Sequence, residues 1–233
     1  MSSKKVPKSK YVKYSHLSER KFRELLRPFC ADVAALSAAS LTGLNRNTAN
    51  RHHGMPRARI AEACEADSPF DGEVEADESH FGARRARGVR GRGARGEAIV
   101  SGLPKRGGKV CTRIVPDVTR GTLMQVIEGK ASKDPIMCTD GFAPCDGLVG
   151  WGCKHHCRVS HGENGFVERG NPGNRIDGIE GFWGYAKSRL VRYQGMPKED
   201  FYLHLRECEF RFNMRGRDMY RFMLRELRER PLN

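Results

Sequence analysis

Three acidic residues occupy places where an ordinary solvated carboxylate would be unexpected. Asp77 closes a strand-like run that begins at Glu73, and Asp140 follows the apolar run 136–139. Glu180 opens an amphipathic helical segment. Two divalent ions about 4 Å apart need carboxylates from separate elements, because each ion must meet oxygen ligands and keep positions open for phosphate and water. The trio therefore predicts two-metal-ion chemistry on a phosphodiester.

Lys187 lies seven residues after Glu180 in the same helical segment. Seven residues are about two helical turns, so the two side chains project from one side roughly 10 Å apart. An ammonium group at that distance can contact a phosphate while the carboxylate serves a metal. An ordinary surface pair would have the same spacing, and that alternative stays open.

The charge balance favours a polyanionic partner. The chain has 233 residues, of which 42 are basic and 28 acidic, for a net charge of +14. Such a surplus attracts phosphates, and the clustering of its arginines makes nucleic acid a better explanation than solubility alone. The length allows one main domain and a smaller accessory one.

Cysteine usage and hydropathy indicate the compartment. Eight cysteines are scattered along a chain too long to need disulfide staples, which fits a reducing cytosol. No run of eighteen apolar residues is present, and no apolar segment follows the charged N-terminal residues. We expect a protein of the reducing cytosol that is neither secreted nor membrane-spanning.

The N-terminal quarter is predicted to be helical. Residues 1–15 are polar and lysine-rich and are expected to be disordered. A first helix opens at Ser18 and Glu19. Its apolar residues have the spacing of one buried face: Phe22, Leu25, Leu26 and Phe29.

Two further helices are separated by a short turn. A pattern through Val33, Leu36 and Leu41 ends at Gly43, where glycine can take the left-handed conformation, and a third helix begins at Asn45, a capping residue. This arrangement is typical of a helix-turn-helix whose second helix enters the major groove; a plain three-helix bundle is the alternative. The candidate DNA-binding residues are of types that bond base edges or phosphates: Asn45, Arg46, Asn47, Asn50 and Arg51.

The pattern changes to short strands after the turn-rich residues 66–72. Strands are predicted at Glu73–Asp77, Ala98–Leu103, Val110–Val115 and Pro135–Thr139. Helices are predicted at Thr122–Glu128, Asp177–Leu190 and Lys198–Phe212. This order predicts an α/β fold, a mixed sheet with helices on its faces. Trp183 is expected to pack in the core, with base stacking as the alternative.

An arginine-rich stretch separates the first two predicted strands. It contains a G-x-G-x-x-G pattern, but a strand follows it where a dinucleotide-binding fingerprint needs a helix. A hairpin tip that follows phosphates fits better, and a solvated loop is the alternative. The arginines are Arg84, Arg85, Arg87, Arg90, Arg92 and Arg95.

Cysteine and histidine cluster in a later segment. Cys153, Cys157 and His161, with two histidines between them, could bind zinc, although C-x3-C is not a common structural spacing. The alternative is a strand edge and loop near the DNA, with residues 161–164 lining a substrate channel.

Three blocks contain the three acids in order: 74–82 (VEADESHFG), 139–141 (TDG) and 176–183 (IDGIEGFW). With Lys187 after the glutamate, they resemble the DDE transposases of small bacterial insertion sequences, in particular the DDEK-type group. Residues 208–213 (CEFRFN) are similar to that group's C-terminal helix. The resemblance extends over about residues 15–230.

The resemblance implies an RNase H-like catalytic domain that uses Mg²⁺ or Mn²⁺. Asp77, Asp140 and Glu180 would be its metal ligands, and Lys187 would contact DNA at the active site. It also implies an N-terminal helix-turn-helix and action on inverted terminal repeats and target DNA. Joining two element ends favours a homo-oligomer on the DNA.

The chain departs from the usual pattern of that group at a few positions. Asp177 replaces an asparagine three residues before the glutamate, and Cys145 stands where an aromatic residue is common. Gly181 and Gly184 replace serines in the catalytic helix, where each glycine costs about 1 kcal/mol relative to alanine.

Three functions fit these features. The first is a transposase that hydrolyses the phosphodiester at the element end and joins the freed 3′-hydroxyl to target DNA. The second is a catalytically inactive DNA-binding remnant or repressor, and the third is a nuclease of the same fold acting on RNA or branched DNA. The expected domains are a basic tail (1–15), a helix-turn-helix domain (16–68) and a catalytic domain (69–233).

Overall fold

The structure, a computed structural model, describes most of the chain in two compact units. The described residues are 9–67, 73–82, 98–105, 108–119, 121–122, 125–126, 136–139, 156–158, 177–193 and 195–232. One unit comprises Met1–Glu65 and Met214–Asn233, and the other comprises Ala66–Asn213.

Helices dominate the first unit, and the second combines a sheet with helices. The helices are α1 (Glu19–Cys30), α2 (Ala35–Thr42), α3 (Arg46–Ala66), α4 (Asp177–Leu190), α5 (Lys198–Asn213) and α6 (Met219–Glu229). A 3-10 turn, Val191–Tyr193, follows α4. The strands are β1 (Glu73–Phe81), β2 (Ala98–Lys105), β3 (Lys109–Val115), β4 (Ile136–Thr139) and β5 (His156–Arg158).

Helix α1 forms as its sequence predicts. The Ser18 side chain accepts a hydrogen bond from the Lys21 amide, which satisfies one of the free N–H groups at the helix start. The buried residues of the helix are the four predicted from their spacing: Phe22, Leu25, Leu26 and Phe29.

Helix α2 buries small residues and exposes its leucines. Leu36 and Leu41 are 62% and 74% exposed, whereas Ala38 and Ala39 are buried and pack with Leu25 of α1. Alanines allow two helix backbones to approach closely, which bulky leucines would prevent. The apolar pattern therefore predicts the helix but not its buried face.

The turn between α2 and α3 has the predicted chemistry. Gly43 adopts a left-handed conformation with φ of 64°, and the Asn45 side chain accepts a hydrogen bond from the Asn47 amide at 2.8 Å.

Further along α3, His52 is buried against Phe22, and this burial lowers its pKa, so the imidazole is held neutral inside the helical unit.

Helix α6 was not predicted from the sequence. Asp218 caps it through the Arg221 amide, and Met219, Met223 and Leu227 form its buried stripe. The predicted boundary assigns residues 214–233 to the catalytic domain, whereas in the structure they belong to the N-terminal unit. The apolar residues Met219, Phe222, Met223 and Leu227 have the spacing of one helix face, so the sequence does contain a signal for this helix.

The sheet is mixed, as predicted. Its strand order is β3-β2-β1-β4-β5, with β1, β2 and β3 antiparallel and with β4 and β5 parallel to β1. Strand β1 continues four residues beyond its predicted end at Asp77, because His80 and its neighbours extend the antiparallel ladder with β2. Of the helix predicted at Thr122–Glu128, the structure describes Thr122, Gln125 and Val126, all helical.

Helix α4 packs on the sheet through one apolar face. Phe182, Trp183 and Ala186 are buried in a cluster with Val100 of β2 and Phe81 of β1. This packing fixes the helix that carries Glu180 to the strand that carries Asp77.

Helix α5 covers the outer edge of the sheet at β3. Glu209 accepts hydrogen bonds from both the amide and the hydroxyl of Thr112, at 2.8 and 2.7 Å. Asn213, one turn later, accepts from the Val110 amide and donates to its carbonyl, both at 2.7 Å. An edge strand presents unpaired backbone groups, and these two side chains satisfy some of them.

Buried ion pairs lie on α5, and one of them joins this helix to α4. Glu207 is almost inaccessible and lies 2.6 Å from Arg189 of α4 and 2.8 Å from Arg211. Glu209 is paired with Arg206 at 2.8 Å. Buried charges require such partners, because the loss of one partner leaves the other desolvated.

No helix in the described ranges is long and apolar enough to span a bilayer.

Candidate active site

Asp77 lies at a junction of the sheet. Its antiparallel neighbour in β2 is Gly102, and on the other side of β1 the last pair of the parallel ladder joins Ala76 to Thr139. Ala76 immediately precedes Asp77 in the sequence, and Thr139 immediately precedes Asp140. Asp140 itself lies outside the described residues.

The Asp77 carboxylate is half-buried and held by two hydrogen bonds. Oδ1 accepts from the Glu78 amide at 2.8 Å, and Oδ2 accepts from the indole Nε1 of Trp183 at 2.8 Å. Both donors are neutral, so these hydrogen bonds do not compensate the negative charge of the carboxylate. Each oxygen also keeps a lone pair that these bonds do not use.

Gly102 lets helix α4 approach β2 closely. A Cβ at this position would come within 2.5 Å of the Trp183 ring and 2.7 Å of Ile179 Cδ1, distances that real Cβ atoms essentially never show. The absence of a side chain opposite Asp77 therefore makes room for the indole. The ring of Trp183 packs in the core, which is the interpretation favoured from the sequence. Its hydrogen bond to Asp77 adds a second role.

Glu180 and Lys187 lie on the exposed side of α4. Glu180 precedes the buried Trp183 by one turn, and the Lys187 ammonium lies 5.9 Å from the ring centroid of Phe81 on β1. Gly184 is between them on the helix, and a Cβ there would meet no atom of the described residues within 4 Å.

The electrostatics of these acids fit a cation site. Within the described residues, no lysine, arginine or histidine pairs with Asp77 or Glu180. Asp77 is oriented by neutral donors, and Glu180 is open to solvent; uncompensated carboxylates of this kind suit hard divalent ions. The described residues alone contain no group of three potential ligands, and Asp140 is outside them.

The predicted DNA-binding residues divide into two groups. Asn45, Arg46, Asn47, Asn50 and Arg51 are all exposed, in the turn before α3 and on its first two turns. The arginine-rich stretch lies outside the described residues: Arg84, Arg85, Arg87, Arg90, Arg92 and Arg95.

The candidate zinc ligands fall largely outside the described residues. Cys153 and His161 are not described, and Cys157 lies in β5, of which only the backbone is described.

Two features of the site were not predicted from the sequence: the hydrogen bond from Trp183 to Asp77 and the role of Gly102. A signal for the second was present, since an isolated glycine inside a strand pattern indicates a close approach of another group. The first joins residues 106 apart, and no sequence spacing reports it.

The sheet topology and a family match define the class of protein. A sheet ordered 3-2-1-4-5, with three antiparallel strands followed by two parallel ones, is that of an RNase H-like domain, as predicted. Residues 69–213 match the ISXO2-like transposase domain, and the chain belongs to this transposase family. The resemblance to insertion-sequence transposases is thereby confirmed.

Similar proteins include a curated relative and two solved structures. An "uncharacterized transposase-like protein" of Haemophilus influenzae is 41% identical over 105 residues, which cover 45% of this chain and 81% of that protein. The catalytic core domain of BIV integrase has 14% identity and a TM-score of 0.38, over 65% of this chain and 93% of that one. A simian T-cell lymphotropic virus intasome in complex with PP2A regulatory subunit B56 gamma has 12% identity and a TM-score of 0.37, over 81% of this chain and 67% of that one.

Proposed function

We propose that this transposase cuts the ends of an insertion sequence by phosphodiester hydrolysis and joins them to target DNA by strand transfer. Asp77, Asp140 and Glu180 are the ligands of two divalent ions, Mg²⁺ or Mn²⁺. The observation that carries the proposal is the attachment of α4 to β1 through Trp183 and Asp77. It joins the helix of the glutamate to the strand of the first aspartate.

The proposed metal ligands come from separate elements of the sheet and helix. When bound, the ions supply Lewis-acid activation and charge neutralisation at the phosphate. Asp77 presents a carboxylate whose orientation is fixed by its two hydrogen bonds. Asp140 follows Thr139, which pairs with the residue before Asp77, and this register supports its assignment as the second ligand.

The exposed face of α4 suits a bound DNA strand. Glu180, Gly181, Gly184 and Lys187 are all exposed, and a Cβ on either glycine would meet nothing within 4 Å. Packing among the described residues therefore does not require these glycines, although each lowers helix stability by about 1 kcal/mol relative to alanine. A bare helix surface between a carboxylate and an ammonium lets a sugar-phosphate backbone approach closely, and Lys187 then contacts a phosphate.

The N-terminal unit is proposed to bind the terminal repeats as a helix-turn-helix. Helices α2 and α3 are separated by Gly43 and two further residues, and the exposed start of α3 carries Asn50 and Arg51. In such motifs the N-terminal part of the second helix contacts base edges. Gly54 lies further along α3, and a Cβ on this residue would meet no atom of the described residues within 4 Å.

Arg51→Ala should weaken binding to the terminal repeat by about tenfold to a hundredfold and reduce the preference over unrelated DNA, because a base contact contributes about 1–3 kcal/mol. Fluorescence anisotropy with both duplexes at fixed salt measures the two affinities. Arg228→Ala, which removes another exposed arginine from α6, is the matched control and should change little. Equal affinities for Arg51→Ala and wild type would contradict the helix-turn-helix assignment.

The proposed setting follows from the substrate. A protein that joins two ends of one element is expected to act as a homo-oligomer on DNA, in the bacterial cytoplasm at the nucleoid. Cys30, Cys64, Cys111 and Cys208 are thiols in the structure, which suits a reducing compartment.

The function is tested by incubating the protein with Mg²⁺, a duplex ending in the inverted repeat that flanks its reading frame, and a target plasmid. We expect nicking at the repeat boundary and joined products. Specific binding without cleavage in Mg²⁺ or Mn²⁺ would instead support the inactive remnant or repressor. Equal cleavage of RNA, branched DNA and unrelated duplexes would support the general nuclease.

A further inference from the structure

We propose that Trp183 is a positioning residue that holds the Asp77 carboxylate for metal binding, and that Gly102 is the glycine that permits it. The inference rests on the proposed function and goes beyond it, because Trp183 is not one of the metal ligands. Three observations support it: the indole-to-carboxylate hydrogen bond, the burial of the indole against Phe81 and Phe182 (its aromatic seat), and the missing side chain at Gly102.

The aromatic seat fixes the direction of the indole N–H. Trp183 is only 6% exposed, and its ring lies edge-on to Phe81, with centroids 5.9 Å apart, and tilted to Phe182 at 5.1 Å. A ring packed in this way has little freedom to rotate. A buried indole needs an acceptor for its N–H, and here the acceptor is Oδ2 of Asp77.

The hydrogen bond restrains the carboxylate without neutralising it. The Glu78 amide holds Oδ1 and the indole holds Oδ2, so the orientation of the Asp77 carboxylate is set from both ends. A lysine or arginine in the place of the indole would compete with a cation, whereas a neutral donor does not. Groups that orient a metal ligand in this way typically change metal affinity by about tenfold to a hundredfold when they are removed.

The same side chain sets the distance between strand and helix. Glu180 lies one turn before Trp183 on α4, so the bond to Asp77 fixes the helix bearing one proposed ligand against the strand bearing another. Gly102 is the register partner of Asp77, and a Cβ there would lie 2.5 Å from the Trp183 ring. Alanine at this position must displace the indole or the helix, and with it the hydrogen bond.

The test compares Trp183→Phe with wild type by calorimetric titration of Mn²⁺ into the full-length protein. Phenylalanine keeps an aromatic ring in the seat but removes the N–H. We expect Mn²⁺ affinity to fall by about tenfold to a hundredfold, and the Mg²⁺ concentration for half-maximal end cleavage to rise in parallel. Cleavage should recover at high Mg²⁺, and affinity for end DNA without metal should not change.

Gly102→Ala provides a second variant in which the indole is retained. It should show the same loss of Mn²⁺ affinity, and the double variant should lose little more than either single one, because both changes break one interaction. Gly121→Ala, whose new methyl group would meet no described atom within 4 Å, is the control for the titration and should bind Mn²⁺ as wild type does.

The outcomes separate this inference from the proposed function. Wild-type Mn²⁺ affinity in folded Trp183→Phe would overturn the positioning role while leaving the metal site in place. If Trp183→Phe does not fold, wild-type Mn²⁺ affinity in Gly102→Ala overturns it equally. An absence of Mn²⁺ binding in wild type itself would reject the metal site, and with it the proposed function.

Discussion

Glu180→Gln should abolish end cleavage and strand transfer while the protein still binds the terminal repeat. Glutamine preserves the shape of the side chain and removes the charge that a divalent ion needs. Metal activation contributes several kcal/mol to phosphoryl transfer, so a loss of at least about a thousandfold in cleavage rate is expected. Single-turnover cleavage of a labelled end duplex in Mg²⁺ measures it.

Asp77→Asn and Asp140→Asn should show the same defect, since each removes a carboxylate from the same site. Glu199→Gln makes the same chemical change at an exposed position in the first turn of α5 and serves as the control. Anisotropy with the end duplex should show that all four variants bind DNA. Joined products from Glu180→Gln at the wild-type rate would contradict its assignment as a ligand.

Glu207→Ala should destabilise the protein more than the removal of any exposed acid. Glu207 is buried between Arg189 and Arg211, and its removal leaves buried guanidinium groups without their counter-ion. Breaking such a group costs about 3–5 kcal/mol. In a unit of this size the melting temperature should fall by on the order of 10 °C, as followed by circular dichroism.

Glu24→Ala is the control for that measurement. Glu24 also has two cationic partners, Arg20 at 3.0 Å and Lys21 at 3.1 Å, but on the exposed surface of α1. Water and salt screen exposed pairs, so a change of no more than a few degrees is expected. Similar melting temperatures for Glu207→Ala and Glu24→Ala would show that the buried network adds little to stability.

Local features of the fold could be predicted because their causes are local. The stripe of α1 follows from residues one turn apart, and the bounds of α4, Asp177–Leu190, follow from its own periodicity. Gly43 ends α2 because glycine readily takes the left-handed conformation. Each of these depends on neighbours within a few positions in the chain.

The relations between distant segments could not be predicted in the same way. Nothing in the sequence near Ala76 shows that it pairs with Thr139, because strand register is set by the packing of the whole sheet. The same holds for Glu209 and Asn213, whose motif resembled a family helix but gave no sign that it satisfies the edge of β3. The structure gives that motif a physical role.

The structure gives the glycines of α4 a different interpretation from the one that the sequence suggests. From the sequence, Gly181 and Gly184 are departures that weaken a catalytic helix. In the described part of the structure, a Cβ on either glycine would meet no atom within 4 Å, whereas Gly102 faces a packed indole. Gly102 is thus explained by internal packing, and the glycines of α4, we propose, by the approach of DNA.

The central claim is that Asp77, Asp140 and Glu180 share one cation site, and anomalous diffraction from crystals of the protein bound to end DNA and soaked in Mn²⁺ tests it most directly. The prediction is anomalous density at bonding distance, about 2 Å, from carboxylate oxygens of all three residues. Mn²⁺ bound elsewhere in the chain, with these three carboxylates too far apart to share an ion, would contradict it.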